Sequence, residues 1–236
     1  MTGPWRIAVT TAADATDRLA GLLAASGLVP VVLPCIRIEP GAPEAIDRIR
    51  STASDADWVL ATSGRALRAV WPEGMAATPP VAAVGDATAE IATALGATVG
   101  LVGRGTAVDV ARALAPDISG AVVVHPVAGG ADRDAEAVLA EAGAVMVVEV
   151  AYTAVPVRPG PDRVDGAVFG SPSAVSGWLS ARTLDELAVV AAMGPTTAAS
   201  LEHAGRSADI VPDPPRLDSI VAALATAATM ERTPSP

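Results

Sequence analysis

Val81-Ala82-Ala83-Val84-Gly85-Asp86-Ala87-Thr88-Ala89 and Val190-Ala191-Ala192-Met193-Gly194-Pro195-Thr196-Thr197-Ala198 align without a gap, and the glycines that follow them, Gly96 and Gly205, align as well. In each copy a short apolar run ends in Gly and gives way to an Ala/Thr-rich stretch, the pattern of a strand, a tight turn and a helix. Working outward, Asp57-Trp58-Val59-Leu60-Ala61-Thr62-Ser63 pairs with Asp165-Gly166-Ala167-Val168-Phe169-Gly170-Ser171. A second repeat pairs the segment from Ile7 to Leu33 with that from Val122 to Val148; each holds an apolar strand, a turn, a helix, then Gly27 or Gly143 and a Val-rich strand. The chain therefore reads a, b, a′, b′ and folds as two related halves.

Alternation of short β-branched runs with amphipathic Ala/Leu stretches is the sequence form of β-α-β units. The fold class is α/β: two similar domains with parallel sheets flanked by helices. Strands are predicted near residues 5–10, 29–33, 57–61, 81–84, 98–102, 121–125, 145–149, 165–169, 188–193 and 208–211. Helices are predicted near 13–25, 41–53, 64–70, 86–95, 106–114, 132–142, 172–180, 195–204 and 216–228. Gly27, Gly96, Gly143 and Gly205 fall just past helix ends, where a left-handed residue closes the last turn. Two extended, proline-bounded segments, Pro34 to Pro40 and Val150 to Pro156, read as linker strands. The tail from Thr229 to Pro236 carries no apolar pattern and is read as disordered.

Composition excludes several function classes. Hydrophobic residues make up 51% of the 236, enough for a buried core, and mean hydropathy is +0.43. No run approaches the ~18 uninterrupted apolar residues of a membrane span. The first residues lack a basic region followed by an apolar run, so no secretory signal is read, and a cytoplasmic, monomeric protein is expected. Cys35, the only cysteine, lies among apolar neighbours and reads as a packing thiol. With His125 and His203 as the only histidines, no metal site is expected. Net charge is −10 and all sixteen basic residues are scattered arginines, which argues against nucleic acid, a Schiff base or a Walker lysine.

What remains is small-molecule chemistry at four strand-to-helix turns: Thr62-Ser63-Gly64, Gly85-Asp86-Ala87-Thr88, Gly170-Ser171-Pro172-Ser173 and Gly194-Pro195-Thr196-Thr197. In open parallel sheets ligands bind beyond the carboxyl ends of strands, where helix N-termini present free N–H groups to anions. Gly admits close backbone approach, and Ser and Thr add donors. A Ser or Thr at such a turn is also an ordinary N-cap, so it is the fourfold recurrence that suggests anion-binding rims. No complete dinucleotide fingerprint and no G-x-S-x-G elbow occurs. His125, read as ending a strand before Pro126, is either a loop histidine or a group that binds or protonates a ligand. Tyr152, the only tyrosine, falls in a linker and is either hinge packing or a group facing a cleft.

In order along the chain, Val32-Leu33-Pro34, Ile38-Glu39-Pro40, Asp57 to Ser63, Val81 to Thr88, Val150-Ala151-Tyr152-Thr153, Phe169 to Val175 and Met193 to Ala198 resemble the uroporphyrinogen-III synthase family. The resemblance implies a discontinuous domain of residues 1–35 with 157–236, an inserted domain of 41–150, and a two-stranded linker of 36–40 and 151–156. It implies a cofactor-free lyase that cyclises hydroxymethylbilane, a linear tetrapyrrole, to uroporphyrinogen III with inversion of ring D. Loss of the terminal hydroxyl gives an azafulvene, and a spiro intermediate follows. It implies Tyr152 as the catalytic residue assisting hydroxyl departure. It matches Ser63, Thr88, Ser171, Thr196 and Thr197 to positions lining the cleft; together with Thr10, Thr62, Gly85 and Gly194 these are the expected substrate-binding residues. Contact with the bilane-producing enzyme would be transient. The chain departs from the family at Thr10-Thr11-Ala12, where Thr-Arg-Pro is usual, and at His125-Pro126, where a basic residue is common; Arg65 and Arg133 are candidates to replace those cations. The other reading is a non-catalytic relative that binds a tetrapyrrole or another anionic molecule between its domains.

Overall fold

The computed structural model describes residues 3–213 and 216–232, residues 231 and 232 as backbone only. The strands are β1 (Arg6–Val9), β2 (Val29–Val32), β3 (Ile36–Pro40), β4 (Trp58–Ala61), β5 (Val81–Ala83), β6 (Val99–Val102), β7 (Val122–Ala128), β8 (Val145–Pro156), β9 (Gly166–Phe169) and β10 (Val189–Ala192). The helices are α1 (Asp17–Ala25), α2 (Pro43–Ala53), α3 (Gly64–Val70), α4 (Asp86–Ala94) and α5 (Ala107–Leu114). They continue with α6 (Asp134–Glu141), α7 (Pro172–Leu179), α8 (Pro195–His203) and α9 (Leu217–Arg232).

The chain divides into two compact units, Met1–Ile38 with Ala154–Pro236, and Glu39–Thr153. The first holds a parallel sheet in the order β2-β1-β9-β10, and the second a sheet in the order β3-β8-β7-β4-β5-β6. The run β8-β7-β4-β5 repeats β2-β1-β9-β10 strand for strand, so the sequence repeat is a repeat of topology. Register sharpens it. Ile7 pairs with Gly166 while Val123 pairs with Trp58, which makes Ile7 the counterpart of Val123. The pairing of Ile7 with Val122 read from the sequence is thus one residue out. In a pleated strand one residue decides which face a side chain takes; the glycines at Gly27 and Gly143 carry the correct spacing.

Alternate strand residues feed the two faces of each sheet, as expected where helices cover both. Ile7, Val9, Val168 and Ala191 pack with Leu19, Leu23, Ile220 and Leu224, whereas Ala8, Phe169 and Val190 pack on the other side with Trp178 and Leu201. In the second unit Val59, Ala61 and Val124 pack with Ile49, Leu67 and Met75, and Leu60 and Val123 with Val110, Leu114 and Leu139. The Trp178 ring meets Phe169 edge-on at 5.7 Å and carries the Arg182 guanidinium 4.5 Å from its centroid, stacking that favours both contacts. Cys35 is fully buried, and burial pushes its thiol up to about 12, so it stays a packed S–H.

Gly27, Gly96, Gly143 and Gly205 have φ of 76°, 85°, 91° and 86°, the left-handed closure anticipated for them. Two expectations need correction. Residues 208–211 form no strand beyond a single bridge from Ile210 to Ala191, because Pro212 has no N–H to continue a ladder. The tail expectation fails over its first residues, since Ala-rich α9 continues through Thr229 to Arg232; residues 233–236 lie outside the described part. Both linker segments contain strands, as read from the sequence, and β8 runs unbroken for 12 residues through Tyr152.

Candidate functional site

In the Glu39–Thr153 unit, β4 ends at Ala61 and the chain turns through Thr62 and Ser63 into α3. A Cβ on Gly64 would collide with Ile91, so glycine lets α3 lie close against α4 and fixes the turn. Ser63 occupies the N-cap position in extended conformation, yet its hydroxyl accepts no bond from the helix. It lies 3.2 Å from Tyr152 Oη, and either oxygen is able to donate. Tyr152 is half-buried and packs against the core on that face of the sheet. The phenol is therefore held by a strand, β8, in the segment read as a linker strand.

Beside this pair, Thr62 Oγ1 lies 3.1 Å from His125 Nε2. His125 is 2% exposed and sits inside β7, which corrects its reading as a loop residue. Pro126 is tolerated next to it because β7 pairs with β4 through Val123 and Val124, before an N–H of residue 126 is needed. On its other side, His125 Nδ1 lies 3.2 Å from Glu136 Oε1, at ion-pair distance but without the alignment of a full hydrogen bond. Arg133 Nη1 donates to the same oxygen at 2.9 Å, so its charge is engaged there. Glu136 Oε2 is buried and unpartnered. Burial pushes the Glu136 carboxyl up, but His125, Arg133 and the backbone amide outweigh it and hold the group at about 2, so it is an anion at neutral pH.

The remaining predicted residues fall in two classes. Gly85 and Gly194 are the N-caps of α4 and α8, both extended, with φ of 179° and −169°. A Cβ on Gly194 would meet nothing within 4 Å, and one on Gly85 only the Gly105 backbone at 3.9 Å. Neither glycine is required by the fold, and both leave their helix N-termini open. Thr196 is exposed beside Gly194. Thr88 and Thr197, equivalent third residues of those helices, are buried. Thr10 is fully buried and donates to Val168 O at 2.7 Å, tying β1 to β9; its hydroxyl proton is spent within the sheet. Ser171 accepts from Ala174 N at 3.3 Å, the work of a helix cap.

Sequence reasoning missed Glu136. The signal was present: Ala135, Glu136 and Leu139 share the buried face of α6, and a carboxylate on an apolar helix face requires a partner.

The family model for uroporphyrinogen-III synthase HemD matches residues 17–222. Among curated proteins none matches the sequence. The fold is similar to that of uroporphyrinogen-III synthetase from Helicobacter pylori, with 14% identity over 95% of this chain and 99% of that one and a TM-score of 0.65. It is also similar to a mutant uroporphyrinogen III synthase from the extremely thermophilic bacterium Thermus thermophilus, with 22% identity over 97% of this chain and 100% of that one and a TM-score of 0.62. The wild-type Thermus protein gives 23% identity over the same shares and a TM-score of 0.52. Identities this low speak for the shared two-domain α/β fold; the family match, which takes in most of the sequence from α1 to α9, speaks for descent. The chain belongs to the uroporphyrinogen-III synthase family.

Proposed function

We propose that this chain is a working synthase, a hydro-lyase that closes hydroxymethylbilane to uroporphyrinogen III with ring D inverted. The observation that carries the reading is the family match over residues 17–222; nothing favours the non-catalytic relative. Departure of the bilane hydroxyl requires a proton donor, and the Tyr152 phenol, steadied by Ser63 at 3.2 Å, is suited to supply it. The rest of the task is holding a flexible polyanion in one conformation, for which positioning is the main term. Open helix N-termini at Gly85 and Gly194, with Thr196 beside the second, suit substrate carboxylates, and backbone N–H donors explain how an acidic protein takes an acidic ligand. Arginine is not essential to such a rim. Thr10 ties β1 to β9, Ser171 caps α7, and Thr88 and Thr197 are buried in the first turns of α4 and α8.

No helix among the described residues is long and apolar enough to cross a membrane. We read the protein as a cytoplasmic monomer that meets the bilane-producing enzyme transiently, without a cofactor. A bacterial strain lacking its own uroporphyrinogen-III synthase tests the proposal: expression of this chain restores growth without added heme if the chain turns over, and no rescue by well-expressed protein contradicts it.

A further inference from the structure

The two halves of this chain provide an internal control for one another. By strand register, the counterpart of His125 in the other unit is Val9, and that of Thr62 is Gly170. The spacing that relates Gly27 to Gly143 and Leu23 to Leu139 relates Glu136 to Ala20. The same architecture is thus built once with Val, Gly and Ala, and once with His, Thr and Glu. Val9 is fully buried in its core, so an apolar residue satisfies the fold at that place. A buried polar chain that its duplicate does without is weak evidence for stability. It also leaves a buried, unpartnered oxygen on Glu136, a desolvation cost that the apolar version avoids.

We infer that Thr62, His125 and Glu136 form a proton relay that serves as the base of the reaction, with Thr62 as the group that meets the substrate and the other two acting through it. This rests on the synthase reading above. Cyclisation releases water and rearomatises a pyrrole, so one proton must be given to the departing hydroxyl and one taken from ring carbon. Tyr152 and Ser63 stand at the giving side. On the taking side, the Glu136 carboxylate, 3.2 Å from His125 Nδ1 though not aligned as a hydrogen bond, favours the proton on Nδ1 by its charge, and the Nε2 lone pair then faces Thr62 Oγ1 at 3.1 Å. When the ring C–H bond breaks, its electron pair returns to the pyrrole and its proton passes to Thr62 Oγ1. The Thr62 hydroxyl proton moves at the same time to Nε2. The resulting imidazolium is stabilised by Glu136, and its proton returns through Thr62 to solvent or to the Tyr152 side. Proton gain and loss then balance, and adjacent residues of one turn carry both ends.

The duplicate also supplies the variant that keeps the fold. His125→Val with Glu136→Ala installs the pair found in the other unit, and should leave the melting temperature and uroporphyrin III affinity near wild type. In an assay fed by a bilane-producing enzyme, kcat should fall by about 10²-fold with KM little changed. Thr62→Val should fall likewise, and Thr62→Ser should restore most of the loss. With only two histidines in the chain, 15N NMR of the imidazoles reads the tautomer of His125 directly. A bare Nε2 at neutral pH in the wild type, redistributed in Glu136→Gln, is the expected result, and this arm needs no turnover. Wild-type kcat in the double variant overturns the relay, as does an Nε2–H tautomer in the wild type. If the wild type makes no isomer III, the synthase reading fails, and the tautomer arm still decides the hydrogen-bond arrangement.

Discussion

The hydroxyl of Ser63 stands 3.2 Å from that of Tyr152, whereas its counterpart Ser171 accepts from Ala174 N at 3.3 Å and caps its own helix. One duplicated serine has kept a structural task and the other has been turned toward a phenol. Removing a working Ser cap costs about 1 kcal/mol, so Ser171→Ala should lower stability by about that amount in denaturant titrations. Ser63→Ala, which loses no cap, should cost clearly less while slowing turnover. Equal destabilisation by the two would assign Ser63 to capping after all.

Tyr152→Phe keeps the ring in the core and removes only the O–H. Because a positioned acid contributes about 10²–10⁴-fold and positioning survives its loss, kcat should drop by at least about 10²-fold. Uroporphyrin III affinity and the isomer III product should be retained. Unchanged turnover removes the phenol from the mechanism.

In Gly85→Val or Gly194→Val the added Cβ meets nothing in the protein nearer than the Gly105 backbone, 3.9 Å from position 85, and both positions have extended backbone that any residue adopts. Loss of a favoured N-cap residue limits the stability cost to about 1 kcal/mol. A ligand drawn up to the helix N–H groups would meet the new side chain, so uroporphyrin III affinity should fall by about tenfold or more, about 1.4 kcal/mol. Calorimetric titration of both variants checks this; wild-type affinity in each would show that neither turn touches the ligand.

Glu136 gives a pH signature. Its folded-state value is depressed from 4.5 to about 2, so its contribution to stability is complete above about pH 4.5 and is lost as pH falls toward 2. The difference in unfolding free energy between wild type and Glu136→Gln should therefore shrink across that window. A difference that stays constant from pH 4.5 to 2 would mean that the carboxylate is not favoured in the folded state.

Much of this was legible in the sequence, and what was not has physical reasons. Gly85 and Gly194, with the apolar runs before them, marked β5 and β10 and the starts of α4 and α8 to within a residue, because strand, turn and helix each demand a different residue type there. The likeness of the two halves followed from the repeat. The one-residue slip between Ile7 and Val122 arose because a run such as Val122-Val123-Val124 is apolar at every position and so does not announce its register; only pairing with β4 does. The strand predicted at 145–149 and the linker strand at 150–156 are one strand, β8, because Val145 to Val155 is rich in Val, with Tyr152 and Thr153, and no Gly or Pro interrupts it. The His125–Glu136 contact joins β7 to α6 and depends on which helix face turns inward, which a charged residue in an Ala-rich helix does not declare unless the apolar stripe is traced residue by residue.

The most direct test of the central claim is the isomer composition of uroporphyrin formed when purified chain is added to a bilane-producing enzyme and the oxidised products are separated chromatographically. Hydroxymethylbilane closes spontaneously to isomer I, so the background is built in. A working synthase diverts the product to isomer III in proportion to the amount of chain added, and the Tyr152→Phe variant does so more slowly. Isomer I alone at every concentration of folded wild-type chain would contradict the account.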